Sequence, residues 1–108
     1  MKRGDIVGVA VQGDFGKPRP VLVIQANNLL KNATSVTFAP LTSAQEGIVH
    51  TRVTILPSPA NGLRRPSHVM VDKIQTARIE KIGLKIGVLD TETMLQVDRA
   101  LLVFLGIV

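Results

Sequence analysis

A proline-rich loop that leads directly into an apolar run constrains this chain more than any other segment. Residues 13–20 read GDFGKPRP, and residues 21–24 continue as VLVI. Glycines and prolines this close together indicate a tight loop, and the β-branched run after them predicts a buried strand. Pro18 and Pro20 fix their own φ angles and disfavour helix at the residue before each. We therefore expect Arg19 to be held extended at the mouth of a strand, where a charge that serves solubility alone is poorly placed.

Most of the chain has the pattern of short strands. The predicted strands are residues 5–11, 19–24, 35–39, 49–56 and 67–71, and Pro40 is expected to end the third of them. Residues 19–24 are apolar on both faces, which is typical of a central strand. Residues 25–31 could hold one helical turn, and residues 79–87 predict a short strand with turns.

One helix is predicted at the C-terminal end, over residues 90–105. Asp90 can cap its start and Gly106 can close it in a left-handed conformation. The side chains that share its apolar face are Met94, Val97, Leu101 and Leu105, which we assign to the core or to a dimer interface. Strands followed by one helix predict a mainly β fold, a small barrel with a C-terminal helix.

Length and composition favour one soluble domain. The 108 residues are enough for a single core, so residues 1–108 are assigned to one domain. The longest unbroken aliphatic and aromatic run, residues 100–105, is too short to span a bilayer, and no signal peptide opens the chain. Without cysteine there is neither a disulfide nor thiolate chemistry. A cytoplasmic location is the simplest interpretation.

The positive charge is concentrated in the part of the chain that carries the loop. The net charge is +5, and residues 1–65 hold eight basic and three acidic residues, whereas residues 66–108 hold five of each. A basic surface favours polyanions or an acidic peptide, although solubility alone explains the excess equally well. The chain has three phenylalanines and no tryptophan or tyrosine, fewer rings than a stacking-based single-strand binder would use.

Five short motifs, in this order along nearly the whole chain, resemble the MazF/PemK family of bacterial toxins. They are RGDI at residues 3–6, RPVLV at 19–23, APLTS at 39–43, Gly62-Leu63 four residues before Ser67, and Leu105-Gly106. The resemblance implies an SH3-like β-barrel, a homodimer and an endoribonuclease that cuts single-stranded RNA with no metal or other cofactor. It also implies a cognate antitoxin whose flexible, often acidic segment covers the active groove.

The same resemblance places Arg19 and Thr42 in the active site and assigns Asp72 to an acidic position that contributes in some members. If the 2′-hydroxyl of RNA attacks the adjacent phosphorus, the enzyme must stabilise a more negative phosphorane and move protons. Arg19 suits the first task because its planar guanidinium donates two hydrogen bonds to phosphate oxygens. Thr42 would add a hydroxyl donor. The structural alternatives are an ion-paired Arg19, a turn hydroxyl at Thr42 and an Asp72 that caps a loop or pairs with Lys73.

The residues predicted to contact RNA are Asp14, Phe15, Lys17, Ser43 and Gln75. The general base is left open between Asp14 and Asp72. His50 and His68 are the only side chains suited by type to move protons near neutral pH. They lie in predicted strands, away from both motifs in sequence, so a packed or surface strand residue is favoured over a site role for each. Met70 stands where some members have an arginine, and the loop before Arg19 lacks the Glu-Gln pair that many members carry.

Two other functions fit the sequence less well. CcdB-type gyrase poisons share the barrel and bind their target through a C-terminal helix with an aromatic-glycine-isoleucine ending. This chain has Leu105 where the aromatic residue should be. A non-catalytic barrel that binds RNA or a peptide is the other alternative, and the low aromatic content weighs against it.

Overall fold

A curled antiparallel sheet and a C-terminal helix form the fold, as a computed structural model shows for residues 1–10, 17–44 and 52–108. The strands are β1 Asp5–Ala10, β2 Pro18–Val23, β3 Ser35–Thr42, β4 Val53–Ile55, β5 Ser67–Val69, β6 Gln75–Arg78 and β7 Ile82–Val88. The helices are α1 Asn27–Leu30 and α2 Thr91–Phe104, and two short 3₁₀ turns are Val71–Lys73 and Ile79–Lys81. The predicted mainly β fold with a C-terminal helix is confirmed.

The strand order is β4-β5-β3-β2-β1-β7, with β6 paired to β3 as well. Both β5 and β6 lie along the edge of β3 that faces away from β2, because Phe38 pairs with Val23 on one side and with Gln75 on the other. The 3₁₀ turn Val71–Lys73 separates these two strands. β2 lies between β1 and β3, as its doubly apolar sequence predicts.

Apolar side chains fill both faces of the central strands. One cluster, the helix-side core, contains Ile6, Leu22, Ala39, Leu41, Val53, Ile55, Val69, Val71, Leu89, Val97 and Leu101. The other, the second core, contains Val7, Val9, Val21, Val23, Val36 and Phe38. Alternation along β2 separates the two, since Leu22 belongs to the first and its neighbours Val21 and Val23 to the second.

Helix α2 begins and ends as its sequence predicts. The Asp90 carboxylate accepts a hydrogen bond from the Thr93 backbone N–H at 3.0 Å, and this bond holds the pKa of Asp90 below its usual range. At the other end Gly106 has φ +73°, and the Ile107 N–H donates to the Leu102 carbonyl at 2.9 Å. Val97 and Leu101 are buried, whereas Leu105 lies beyond the helix and is 52% exposed.

The structure differs from the sequence-based expectation at three strands. β3 continues through Pro40 to Thr42. Proline has no backbone N–H to donate, but the Pro40 carbonyl still accepts a hydrogen bond from the Met70 N–H at 2.9 Å. β6 was not predicted, since its residues are mostly exposed and show no apolar alternation. β7 is a full seven-residue strand rather than a short strand with turns. Residues 49–51 of the fourth predicted strand lie outside the described residues.

No helix within the described ranges is long and apolar enough to cross a membrane.

Candidate active site

Arg19 lies in β2 between its two prolines, with its side chain exposed. The backbone is extended there, as the proline pattern predicts, and Arg19 is paired in register with Val9 of β1. Alternation along β2 places Arg19 on the same face as Val21 and Val23 of the second core. This face of β2 therefore has a charged end at Arg19 and an apolar end at Val21 and Val23.

Thr42 lies on the same face as Arg19, at the end of the neighbouring strand. β2 and β3 pair Val21 with Pro40 and Val23 with Phe38, and the same register extended by two residues places Arg19 opposite Thr42. The Thr42 hydroxyl oxygen accepts the Ala44 N–H at 3.1 Å, and its own proton remains available to a further acceptor. The two residues that the resemblance assigns to the active site are thus brought onto adjacent strands.

The polar face continues across two more strands. Thr42 pairs with His68 of β5, and His68 pairs with Thr54 of β4. Residues paired across antiparallel strands point to the same face, so Arg19, Thr42, His68 and Thr54 form one row, here called the polar row. His68 is 8% exposed, and its Nδ1 lies 3.0 Å from Thr54 Oγ1. Neighbouring strands are about 4.8 Å apart, so the whole row spans roughly 14 Å.

Asp72 is held by an arginine beside the polar row. Its carboxylate Oδ1 lies 3.3 Å from Arg52 Nε, and Lys73 Nζ lies 3.6 Å from Oδ2. The side chains of Arg52 and Asp72 are only 7% and 17% exposed. Burial raises the pKa of Asp72, but the hydrogen bond and charge of Arg52, with help from Lys73, outweigh it and hold the pKa below the usual carboxyl value. The alternative of pairing with Lys73 is confirmed, and Arg52 is the closer partner.

The predicted RNA contacts are distributed around this face. Gln75 of β6 is exposed and pairs with Phe38 of β3. Phe38 and Thr42 are four residues apart and lie on the same face of β3, so Gln75 lies on that face of the sheet as well. Ser43 and Lys17 are exposed at the ends of β3 and β2 respectively. Asp14 and Phe15 lie outside the described residues, and so does His50. The contacts with RNA predicted for Asp14, Phe15, Lys17, Ser43 and Gln75 stay predictions.

The sequence favoured a structural role for His68 over a site role, and it assigned no role to Arg52. The pairing of β3 with β5 joins residues 26 positions apart, and no local pattern states that register. One signal was present: Val69 and Val71 are apolar at alternate positions, so His68, which directly precedes Val69, is expected on the face opposite the core. Arg52 alternates with the core residues Val53 and Ile55, but no local pattern points to its partner Asp72, which lies twenty residues away in a 3₁₀ turn.

One pocket of about 440 Å³ lies elsewhere, between the start of the chain and β7, and contains none of the predicted site residues. Its polar lining includes Lys2, Asp5 and Lys85, and the buried Asp5 carboxylate lies 3.4 Å from Lys85 Nζ. Among the described residues no group of three or more histidines, aspartates or glutamates is placed to hold a metal ion.

Comparisons with known proteins agree with the resemblance seen in the motifs. The model of the family described as "PemK-like, MazF-like toxin of type II toxin-antitoxin system" matches residues 2–105. A protein of Mycolicibacterium smegmatis named probable endoribonuclease MazF is 44% identical over 108 residues, covering 99% of this chain and 98% of its own.

Two solved structures have the same fold. The Mycobacterium tuberculosis toxin MazF-mt6 superimposes with a TM-score of 0.81 at 28% identity, covering 94% of this chain and 96% of its own. A mycobacterial endoribonuclease solved in complex with its cognate antitoxin has a TM-score of 0.83 at 24% identity, covering 100% and 97%. The second likeness concerns the fold alone.

Proposed function

Because this chain belongs to the PemK-like, MazF-like toxins of type II toxin–antitoxin systems, we propose that it is an endoribonuclease toxin that cuts single-stranded RNA by attack of the RNA's own 2′-hydroxyl. Relatives named endoribonucleases favour this function over the gyrase poison and over the non-catalytic barrel. The observation that carries the proposal is the register of β2 and β3, which brings Arg19 and Thr42 side by side on an accessible face.

Arg19 is assigned to the phosphate. As the 2′-oxygen bonds to phosphorus, the non-bridging oxygens gain negative charge, and a guanidinium beside them donates two hydrogen bonds to that charge. Its place in β2 between two prolines reduces the reorganisation that the side chain needs when RNA binds. Arginine stays protonated at neutral pH, so it is not the group that accepts the 2′-hydroxyl proton.

Thr42 is assigned to the same phosphate from the other side of the scissile bond. Its oxygen is occupied by the Ala44 N–H, so the hydroxyl is oriented to donate outward. Lys17, Ser43 and Gln75 are the described candidates for contacts with the flanking nucleotides, together with Asp14 and Phe15 of the preceding loop.

Asp72 is proposed to act through Arg52. A carboxylate whose pKa is lowered by a buried guanidinium is a weak proton acceptor, because protonating it would break the ion pair. Its contribution to the site is then to position Arg52 beside the polar row, where the guanidinium adds positive charge for RNA. The earlier assignment of Asp72 as a catalytic residue stays a prediction.

The proposed partners are a cognate antitoxin and a second copy of this chain. An acidic flexible segment suits a chain with a net charge of +5, and we expect the complex to weaken as salt rises. Apolar side chains exposed on β7 and beyond α2, among them Leu84 at 87% and Ile107 at 66%, are available for a homodimer interface. The proposed location is the cytoplasm, where the chain meets mRNA.

The test is cleavage of a defined single-stranded RNA in EDTA, read by primer extension and end-group analysis. The wild-type protein should leave a 2′,3′-cyclic phosphate and a free 5′-hydroxyl, and a 2′-deoxy nucleotide at the cut site should abolish the cut. Arg19→Ala should slow cleavage by about 10²–10³ without lowering the Tm. Wild-type protein that leaves RNA intact, or an Arg19→Ala variant as fast as wild type, would refute the proposal.

A further inference from the structure

We propose that His68 is the general base of the RNA cleavage reaction, with its Nε2 accepting the proton of the attacking 2′-hydroxyl. The inference rests on the proposed nuclease function. It adds a residue that neither the family motifs nor the spacing of Arg19 and Thr42 pointed to. The observation that supports it most directly is the place of His68 in the polar row: His68 lies on β5, the strand next to β3, and is paired there with Thr42.

The imidazole is fixed in position by a hydrogen bond and is not wholly buried. Its Nδ1 hydrogen bonds with Thr54 Oγ1 at 3.0 Å, and Val69 and Ser67 on either side of it point to the opposite face. Every buried side-chain nitrogen and oxygen among the described residues has a hydrogen-bond partner. The hydrogen bond of His68 to Thr54 uses Nδ1, so Nε2 is not engaged in it, and the residue as a whole is 8% exposed.

Orientation of the ring follows from its neighbours. When Nδ1 carries the proton and donates to Thr54 Oγ1, Nε2 bears the lone pair and can accept a proton. After proton transfer the imidazolium keeps its Nδ1–H bond to the same hydroxyl, so the ring does not need to move during the step. Two strand spacings, about 10 Å between backbones, separate His68 from Arg19, and we place the ribose and its 3′-phosphate in that interval.

The step balances without any further reactant. The bond from the 2′-oxygen to phosphorus forms while the 2′-hydroxyl proton moves to Nε2 of His68. The bond from phosphorus to the 5′-oxygen then breaks, and the leaving alkoxide takes a proton from water. The products are a 2′,3′-cyclic phosphate and a 5′-hydroxyl, and His68 later returns its proton to solvent.

Other groups on the described part of this face are less suited to the step. Arg19 and Arg52 cannot accept a proton, and Asp72 is engaged with Arg52. The residues paired with His68 are Thr42 on β3 and Thr54 on β4, both uncharged, and Met70 follows just beyond β5. The charged residues on the described neighbouring elements are Arg19, Arg52, Asp72 and Lys73. Asp14 lies outside the described residues, so it enters the test as a variant.

The test compares variants that keep or remove one nitrogen at a time, in single-turnover cleavage of an RNA with one cut site. His68→Asn keeps an amide near the Nδ1 position for Thr54 but has nothing at Nε2, so it is expected to cut about 10²–10⁴ times more slowly. Its rate should also lose the pH-dependent limb that a general base gives to the wild-type rate. Thr54→Val, which removes only the orienting hydroxyl, should lose less and keep the pH-dependent limb.

Chemical rescue separates catalysis from folding. His68→Gly leaves a space for imidazole, and added imidazole should restore part of its cleavage rate in proportion to imidazole concentration, whereas Arg19→Ala should not respond. Each variant is assayed at a temperature at which circular dichroism shows it folded.

Each outcome decides between the proposals. Wild-type protein that fails to cut RNA refutes the nuclease function itself. If wild type cuts and His68→Asn cuts equally fast with the same pH profile, the function stands and the inference is wrong. The inference is also wrong if His68→Asn only lowers the Tm, or if Asp14→Asn instead removes the pH-dependent limb.

Discussion

Removing the ion pair between Arg52 and Asp72 measures how much it stabilises the fold, separately from any effect on RNA cleavage. Both side chains are mostly buried, at 7% and 17% exposure, and their atoms lie 3.3 Å apart. Breaking a buried pair by removing one partner costs about 3–5 kcal/mol. In Arg52→Met the remaining carboxylate keeps Lys73, whose Nζ lies 3.6 Å away on a side chain that is 57% exposed. This partial compensation reduces the expected loss to about 2–3 kcal/mol.

The loss converts to a measurable shift in melting temperature. Unfolding entropy is about 2.1 cal/mol/K per residue, or about 0.23 kcal/mol/K for a chain of this size. Arg52→Met should therefore lower the Tm by about 9–13 °C at pH 7, measured by circular dichroism and checked by urea unfolding. The matched control is Arg78→Met, because its ion pair with Glu80 is 80% and 63% exposed and should contribute almost nothing.

The difference between wild type and Arg52→Met should disappear in acid. The folded-state pKa of Asp72 is lowered, so the pair stabilises fully above the ordinary carboxyl pKa of about 4 and loses its effect as pH falls through the lowered value. A Tm loss below about 2 °C at pH 7 would refute the reasoning, and so would a difference that survives unchanged at the lowest pH at which both proteins fold. A cleavage defect much larger in Asp72→Asn than in Arg52→Met would show that the carboxylate itself contacts RNA.

Three further predictions concern stability and can be read from the same unfolding measurements. Gly87→Ala should destabilise the fold by more than about 3 kcal/mol, because its Cβ would lie 2.3 Å from backbone atoms of Asn61. Gly106→Ala meets no atom within 4 Å and should cost about 1–2 kcal/mol from its φ of +73° alone. Equal urea midpoints for the two variants would contradict this. Arg3→Met loses a 2.7 Å ion pair with α2 and a 2.8 Å hydrogen bond, and should lower the free energy of unfolding by about 1–2 kcal/mol. Asp90→Ala should lower the Tm at pH 7 but not in acid, because the lowered pKa of Asp90 means that its cap is lost as pH falls, and a pH-independent loss would argue against the cap.

Local chemistry made some parts of this fold predictable. The prolines beside Arg19 restrict backbone angles directly, and α2 is defined by its cap, its apolar face and the left-handed Gly106, all of which act within a few residues. β6 was not predictable, because its only half-buried side chain is Ala77 and the strand is stabilised by pairing with β3. The prediction that Pro40 ends β3 was wrong, because the Pro40 carbonyl can accept a hydrogen bond across one edge of β3 although the residue has no N–H to donate.

The candidate site, like the fold, could be predicted from the sequence only in part. Motifs pointed to Arg19 and Thr42 individually, and their adjacency became clear only from the register of β2 against β3. The place of His68 depends on a pairing between distant segments, and packing of the helix-side core decides that pairing. The partner of Asp72 was likewise set by tertiary structure, because Arg52 is twenty residues away in the chain.

The position of β1 in the sheet has a consequence for synthesis on the ribosome. β1 is made first, yet it lies between β2 and β7, and Arg3 pairs with Asp98 across 95 residues of sequence. A nascent or prematurely terminated chain therefore lacks both the neighbour that completes its sheet and the helix that covers its core. We expect such fragments to remain unfolded, so the folded toxin forms only when translation is nearly finished.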